Sequence, residues 1–448
     1  MALKRIDGTA AVQAAMTRRT FLKQGGAAVA AGLAFPYIIP GRALGLDGAL
    51  APSNRIAMAC IGTGSQGTSN LKDFLGLKDP HFVAVCDVDK KRRGEAKGLI
   101  DTVNGNTDCA EYNDFRELLE RTDIDGVSIA VPDHWHAIPA IAAARKGLDI
   151  FAEKPLALTI FEGQKMVEAI QSYGTIWQTG SWQRSQEHFR KGCELVRNGR
   201  LGHIHTVKVG LPTGSAIEPQ PVMPVPAELD YDLWLGPAPE EPYTEKRVHW
   251  NFRWIFDYSG GQLTDWAAHH CDIANWGMGT EHTGPVAVRG KGEFPREGLW
   301  NTAINYMVEC DYAPGASPVA PDGFKMLVSN SFPMGARFEG TEGWLHVSRG
   351  DELTAEPAGI LESEIGPGEV HLYKSNNHGQ NFFDCVRSRR TTITPIEVAH
   401  RAISIAHLGN IAMKLEREVK WDPLAEQFVN DPEASRKLSR AMRAPWHI

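Results

Sequence analysis

The chain has 448 residues, 42% of them hydrophobic and 23% charged, so it is folded throughout and too long for one hydrophobic core; two domains are expected. Its formal net charge of -7, with acidic and basic residues interleaved, excludes the basic face that nucleic acid requires. Seven cysteines, odd in number, far apart and without a C-x-x-C pair, exclude a disulfide framework or zinc site and read as small apolar side chains.

In chain order, the first feature is Thr17-Arg18-Arg19-Thr20-Phe21-Leu22-Lys23, followed by an apolar, Gly/Ala-rich run over 25–35. Paired arginines before a short apolar stretch with small residues beyond it resemble a twin-arginine export signal. The run is too short and too rich in Gly and Ala for a membrane span. Residues 1–51 are therefore read as signal and linker and the protein as exported to the periplasm. Cleavage after Gly45, cleavage after Ala51 and an uncleaved tether stay open.

From residue 54 the pattern alternates regularly. Apolar runs at 56–61, 82–86, 126–131, 149–152 and 175–179 read as strands. Between them, 68–77, a polar segment after Asp89, 114–120, 138–146 and 160–172 read as helices. Such alternation predicts an α/β fold with a parallel sheet wrapped by helices over 54–180. From 181 to 448 the texture changes to long Pro- and Gly-containing stretches between strand-like runs such as 203–210 and 324–330. An α/β domain with a large open, mostly antiparallel sheet is expected there, closed by a long helix over 395–415.

Gly62-Thr63-Gly64-Ser65-Gln66-Gly67 follows the first strand and opens the first helix, and Asp87 ends the second strand. This is the register of a dinucleotide fingerprint. Gly62 permits the tight turn, Gly64 lets a pyrophosphate approach the backbone, and Gly67 lets helix and strand pack closely. Free N–H groups at the helix start, around Ser65 and Gln66, face the anion. A carboxylate at Asp87 accepts hydrogen bonds from ribose hydroxyls and repels a 2'-phosphate, so the cofactor is expected to be NAD; Lys90, Lys91, Arg92 and Arg93 are read as a solvated helix start.

Further on stand Pro132-Asp133-His134-Trp135-His136, Glu153-Lys154-Pro155, Trp182-Gln183-Arg184-Ser185, Asp232-Leu233-Trp234-Leu235-Gly236-Pro237 and Gly260-Gly261-Gln262-Leu263-Thr264-Asp265-Trp266-Ala267-Ala268-His269. Together these resemble the Gfo/Idh/MocA oxidoreductases, most specifically in the E-K-P tripeptide after a strand. The resemblance implies an active site between the two domains. It matches Lys154 to the lysine that contacts the reacting hydroxyl, and Asp265 and His269 to its acidic and histidine partners. It also places Pro132, Asp133, Trp135, His136, Glu153, Lys154, Gln183 and Arg184 beside the cofactor. The chemistry agrees, because oxidising a carbinol requires a group that takes the hydroxyl proton, and Asp265 and His269 are one helical turn apart. The family's usual glycine is Ala267 here, and a second histidine, His270, leaves open which imidazole faces substrate.

The run His249-Trp250-Asn251-Phe252-Arg253-Trp254 sets aromatic faces beside hydrogen-bonding groups, which suits a sugar ring. His249, Arg253, Trp254 and His270 are taken as substrate contacts, for a carbohydrate or polyol. The histidine pairs His134/His136 and His203/His205 supply two ligands each with no evident third, so no metal is expected. A homodimer or homotetramer through the open sheet follows from the resemblance. Export adds a constraint, since outside the cytoplasm no free NAD is exchanged and a held nucleotide must return to its starting state each round. Three readings follow. One is an oxidoreductase acting on a sugar, polyol or glycoside. Another is a redox-neutral NAD-dependent glycoside hydrolase or lyase, which the D-W-A-A-H-H stretch resembles. The third is a non-catalytic exported sugar-binding protein.

Overall fold

A computed structural model describes residues 54–448; the twin-arginine-like stretch lies outside the described residues. Six strands, β1 (Ile56–Ile61), β2 (Pro80–Cys86), β3 (Ala110–Tyr112), β4 (Gly126–Ile129), β5 (Asp149–Ala152) and β6 (Trp177–Thr179), pair in the order β3-β2-β1-β4-β5-β6, all parallel. The central strands β4 and β5 are buried at every position, which is why they read as unbroken apolar runs. Helices α1 (Ser65–Leu75), α2 (Lys90–Asn104), α3 (Ala137–Arg145) and α4 (Ile160–Tyr173) make the crossovers. The start of α4 is set by a capping box in which Thr159 and Glu162 satisfy each other's backbone N–H groups, and its end by Gly174 in the left-handed conformation. The strand order reverses between β1 and β4, so a crevice opens at their carboxyl ends.

The first helix begins at Ser65, three residues earlier than the apolar pattern indicates, because Gly64 adopts the extended geometry of an N-cap. Strand β3 is a three-residue edge with no fully buried position, which leaves it without an apolar signal.

The rest of the chain builds a nine-stranded sheet. Helix α5 (Glu187–Arg197) precedes β7 (Ile204–Gly210), and α6 (Gln262–Met278) precedes β8 (Ala287–Glu293), β9 (Asn305–Tyr312), β10 (Phe324–Ser329), β11 (Gly335–Gly340), β12 (Gly343–Ser348) and β13 (Glu352–Glu356). Helices α7 (His378–Ser388) and α8 (Ile396–Leu415) then lead to β14 (Val419–Asp422) and β15 (Gln427–Phe428). The order is β13-β12-β11-β7-β10-β9-β8-β14-β15, antiparallel except for β7 with β10.

Glycines let the helices approach this sheet closely. A Cβ on Gly277 of α6 would stand 2.7 Å from the Phe338 ring of β11, and one on Gly409 of α8 would stand 2.7 Å from Val308 of β9. Helix α7 instead returns to the first sheet, where Phe382 and Phe383 pack edge-on against Phe151 and Phe74. Each such buried ring contributes roughly 1.5–3 kcal/mol, so late chain residues stabilise the early domain. All seven cysteines are free and buried. Among the described residues, no helix is long and apolar enough to cross a membrane.

Candidate active site

The crevice at the end of β1 is a cleft lined by Gly62, Gly64, Ser65, Gln66 and Asp87. Gly62 has a φ of 86°, and a Cβ there would meet Ala130 O at 2.3 Å; one on Gly67 would meet Gly62 O at 2.1 Å. Only glycine folds this turn. No side chain caps α1 at Gly64, so the first N–H groups of the helix stay available to an anion. The Asp87 carboxylate is held from two sides. Its Oδ2 accepts from Thr63 N at 2.6 Å and Thr63 Oγ1 at 3.1 Å, and its Oδ1 from Asp89 N at 2.9 Å. Burial pushes the carboxyl up, while the Asp89 and Thr63 donors oppose that shift. Oδ1 keeps a lone pair for a ribose hydroxyl, and the uncapped helix start fits a pyrophosphate, so these residues fit a dinucleotide.

Lys154, which lines the cleft, follows β5, and its partner Asp265 lies behind it in the first turn of α6. Lys154 Nζ donates to Asp265 Oδ1 at 2.6 Å, and Arg253 Nε stands 3.5 Å from the same oxygen. Burial alone raises the Asp265 carboxyl, but the Lys154 and Arg253 charges outweigh it and hold the pKa below the usual value. Nearby Asp133 is pushed up to about 7, by burial first and by the Asp265 charge, against the Ser259 hydroxyl. Glu153 accepts from Asn70 Nδ2 at 2.9 Å and so ties the E-K-P loop to α1.

His269, one turn after Asp265, is buried, with Nδ1 lacking a hydrogen-bond partner. Burial, then the Lys154 and Arg349 charges, hold its pKa well below 6.5. It is a neutral imidazole with a free ring nitrogen. His270 stacks on Trp266, with ring centres 5.7 Å apart, and meets Gln183 Nε2 at 3.4 Å; burial lowers its pKa to about 3.

Not every anticipated contact reaches the cleft. Pro132, Asp133, Trp135, Glu153, Lys154, His249 and Arg253 line it, whereas His136, Gln183, Arg184, Trp254, Asp265, His269 and His270 do not; Asp265 meets the cleft only through its ion pair with Lys154. Both ring nitrogens of His136 sit against carbonyls, of Val131 at 2.8 Å and Leu156 at 3.3 Å, so it braces two loops. Arg184 forks onto Asp272 with Nε at 2.7 Å and Nη2 at 2.8 Å, and Nη1 reaches Glu281 at 2.7 Å. That buried network pins the 182–185 turn to α6. Trp254 stacks on Trp300 at 4.6 Å inside the core. His249 stands 3.7 Å from Asp89, with a left-handed φ of 55°.

Four residues escaped sequence reasoning. Thr63 anchors Asp87. Arg92, expected on a solvated helix start, lines the cleft, with Nη1 3.0 Å from where a Cβ on Gly64 would lie. Trp250, 58% exposed, walls the cleft beneath Arg253, whose guanidinium sits 4.2 Å from its ring centre. Arg349 lies between the indoles of Trp182 and Trp266, outside the cleft lining. The x position of the glycine motif could have flagged Thr63; nothing local marks Arg349. Among the described residues, no three His, Cys, Asp or Glu side chains gather as for a metal ion.

A two-domain oxidoreductase architecture with a dinucleotide crevice is thus in place. Residues 56–181 match the family described as "Oxidoreductase family, NAD-binding Rossmann fold", and residues 194–323 and 364–448 match its "C-terminal alpha/beta domain". The chain belongs to the Gfo/Idh/MocA oxidoreductase family, and its cofactor is NAD. It is 26% identical over 221 residues to myo-inositol 2-dehydrogenase of Thermotoga maritima, covering 49% of this chain and 54% of that one. It is 32% identical over 214 residues to an alpha-N-acetylgalactosaminidase of Shewanella oneidensis, covering 43% of each. The chain thus spans about half the length of the curated relatives it matches. Among solved structures, aldose-aldose oxidoreductase of Caulobacter crescentus, complexed with glycerol, superposes with a TM-score of 0.58 at 19% identity, covering 82% of this chain and 99% of that one. That likeness is one of fold.

Proposed function

We propose that this protein is an NAD-dependent enzyme acting at a hydroxyl-bearing carbon of a sugar, polyol or glycoside. The observation that carries this reading is the 2.6 Å Lys154–Asp265 ion pair, whose lysine lines the dinucleotide cleft. Bound in that cleft, NAD supplies the two-electron acceptor for a carbinol carbon. The chain's own groups handle the proton. Lys154 contacts the reacting hydroxyl, Asp265 fixes the ammonium, and the neutral His269 ring offers an acceptor nitrogen. The exposed face of Trp250 offers stacking for the apolar side of a sugar ring.

A second reading is redox-neutral cleavage of a glycoside, favoured by the neutral, unpartnered His269 and by the aligned galactosaminidase. A ring hydroxyl is oxidised to a ketone, which acidifies the neighbouring C–H. The imidazole takes that proton, the anomeric substituent leaves, water adds, and the ketone is reduced again. Export along the twin-arginine route, expected from residues 17–35, suits either course, provided the nucleotide stays bound and ends each round as it began. Assembly into a homodimer or homotetramer through the open face of the large sheet belongs to the same reading.

Purified protein given sugars and aryl glycosides without added NAD separates the readings. A keto-sugar formed with an added acceptor supports oxidation, and aglycone release with no net NADH supports hydrolysis. Inactivity on both panels, together with a denatured supernatant free of nucleotide, overturns the proposal.

A further inference from the structure

A second cavity shares no lining residue with the NAD cleft. It opens between the C-terminal part of α8 and residues 436–440, which follow a short helix over Pro432–Ser435. Four cations line it, Lys414, Arg436, Lys437 and Arg440, and no aspartate or glutamate does. Lys414, Arg436 and Lys437 are exposed, so solvent reaches the cavity, while His407 and Asn410, which also line it, are buried. Two of the cations are held against one ring. The Lys414 ammonium lies 4.9 Å and the Arg440 guanidinium carbon 4.1 Å from the ring centre of Phe256, and Arg440 Nη1 donates to the Phe256 carbonyl.

Among the described residues, none of these four cations has a carboxylate at ion-pair distance, because the neighbouring acids are committed elsewhere. Asp431 and Glu433 both receive Arg417, at 2.6 and 3.0 Å. Glu162 accepts from Leu158 N at 2.9 Å and Thr159 N at 3.0 Å. Its charge, with those of Asp257 and Asp133, bears on Arg440 from beyond contact. Burial first, then the Arg440 and Lys437 charges, hold the Lys414 ammonium below its ordinary pKa. Like charges lining one space repel, and an anion among them turns that repulsion into attraction. Two guanidinium groups and two ammonium groups supply the donors that a tetrahedral oxyanion accepts from. Asn410 adds a second requirement. Its Nδ2 donates to Gly260 O at 3.1 Å, but its Oδ1 is buried with no donor among the described residues. A bare anion gives that oxygen nothing, whereas a hydroxyl on the same ligand satisfies it.

We infer that this cavity binds the phosphate or sulfate ester of a small hydroxylated molecule, at a site separate from the NAD cleft. It stands independently of the reaction proposed at Lys154.

The test is calorimetric titration of the full-length, NAD-loaded protein with inorganic phosphate, inorganic sulfate and glycerol 3-phosphate, with chloride at matched ionic strength as the blank. Loading with NAD fills the pyrophosphate site of the cleft. One saturable site per chain is expected, with glycerol 3-phosphate bound more tightly than inorganic phosphate. Tighter phosphate than sulfate identifies a phosphate ester, and the reverse order a sulfate ester. Arg440→Met should weaken binding about 10- to 100-fold, the contribution of a charge-assisted donor pair. Arg436→Met combined with Lys437→Met alters only exposed side chains, so it should weaken binding by about 10-fold or more and decides the question even if Arg440→Met folds poorly. Bound NAD, measured by mass spectrometry, should be the same in both variants. No saturable heat beyond that of chloride overturns the inference, as does an affinity unchanged by the Arg436→Met and Lys437→Met pair. Glycerol 3-phosphate bound no better than inorganic phosphate overturns the assignment of an ester.

Discussion

Lys154 Nζ and Asp265 Oδ1 are 2.6 Å apart although 111 residues separate them in the chain. The contact joins the end of β5 to the first turn of α6, and both partners are largely shielded from water. Lys154→Ala should lower turnover by about 10²–10⁴-fold, the range for loss of a positioned proton-transfer group, while bound nucleotide measured by mass spectrometry stays the same. Asp265→Asn should cost stability as well, about 3–5 kcal/mol, because it strands the ammonium and Arg253 without their shared anion. Wild-type turnover in Lys154→Ala would remove the lysine from the reaction.

Asp87 reaches the cleft already oriented by Thr63 and Asp89. Removing the carboxylate deletes the acceptor for the ribose hydroxyls and the charge that opposes a 2'-phosphate. Asp87→Ala should weaken NAD by about 10- to 100-fold and narrow the gap between NAD and NADP. Titration of nucleotide-stripped protein with each cofactor measures both effects, and unchanged NAD affinity would contradict the assignment.

Arg184 provides the contrasting case. Each of its three guanidinium nitrogens donates to Asp272 or Glu281, and it is 2% exposed. Arg184→Met should destabilise the fold by about 3–5 kcal/mol by leaving Asp272 buried and unpaired. Nucleotide content per folded molecule should not change. A selective loss of NAD without a lower melting temperature would return Arg184 to the cofactor.

The comparison of Arg184 with Arg349 also shows where sequence reasoning ends. The parallel strands were legible because β4 and β5 are buried on both faces, and the glycine loop because Gly62 and Gly67 tolerate no Cβ. Strand β8, with one fully buried residue in seven, carries no period that could reveal it. An arginine reads alike whether its fork meets Asp272, as in Arg184, or its plane lies between two indoles, as in Arg349. The large sheet carries Arg349 to Trp266 across 83 positions of chain, and no local pattern encodes that distance. Trp254 and His136 fail in the same way, since whether an aromatic or imidazole side chain faces a cleft or the core is decided by partners such as Trp300 and the Val131 carbonyl.

Buried histidines set the response to acid. Burial is the first cause in lowering His134, His136 and His378 to about 4, and His270 and His407 to about 3, with His269 also far below its ordinary value. The unfolded chain protonates these rings near 6.5 while the fold refuses the proton. Stability from this source is complete above about pH 6.5 and is lost as the pH falls below it, by up to about 1.4 kcal/mol per pH unit for each ring. Asp133 and Glu162 act in the opposite sense, since burial raises both to about 7. Their stabilisation is complete below the ordinary carboxyl value near 4 and is lost as the pH rises through about 7. Between about pH 4 and 6.5 the histidines outnumber the two carboxyls, so the urea midpoint should fall steadily from about pH 7 to pH 5. A midpoint that holds or rises over that range would show that the rings are open to protons in the folded protein. Activity should lack an acid limb at the ordinary histidine value, because His269 stays neutral through it.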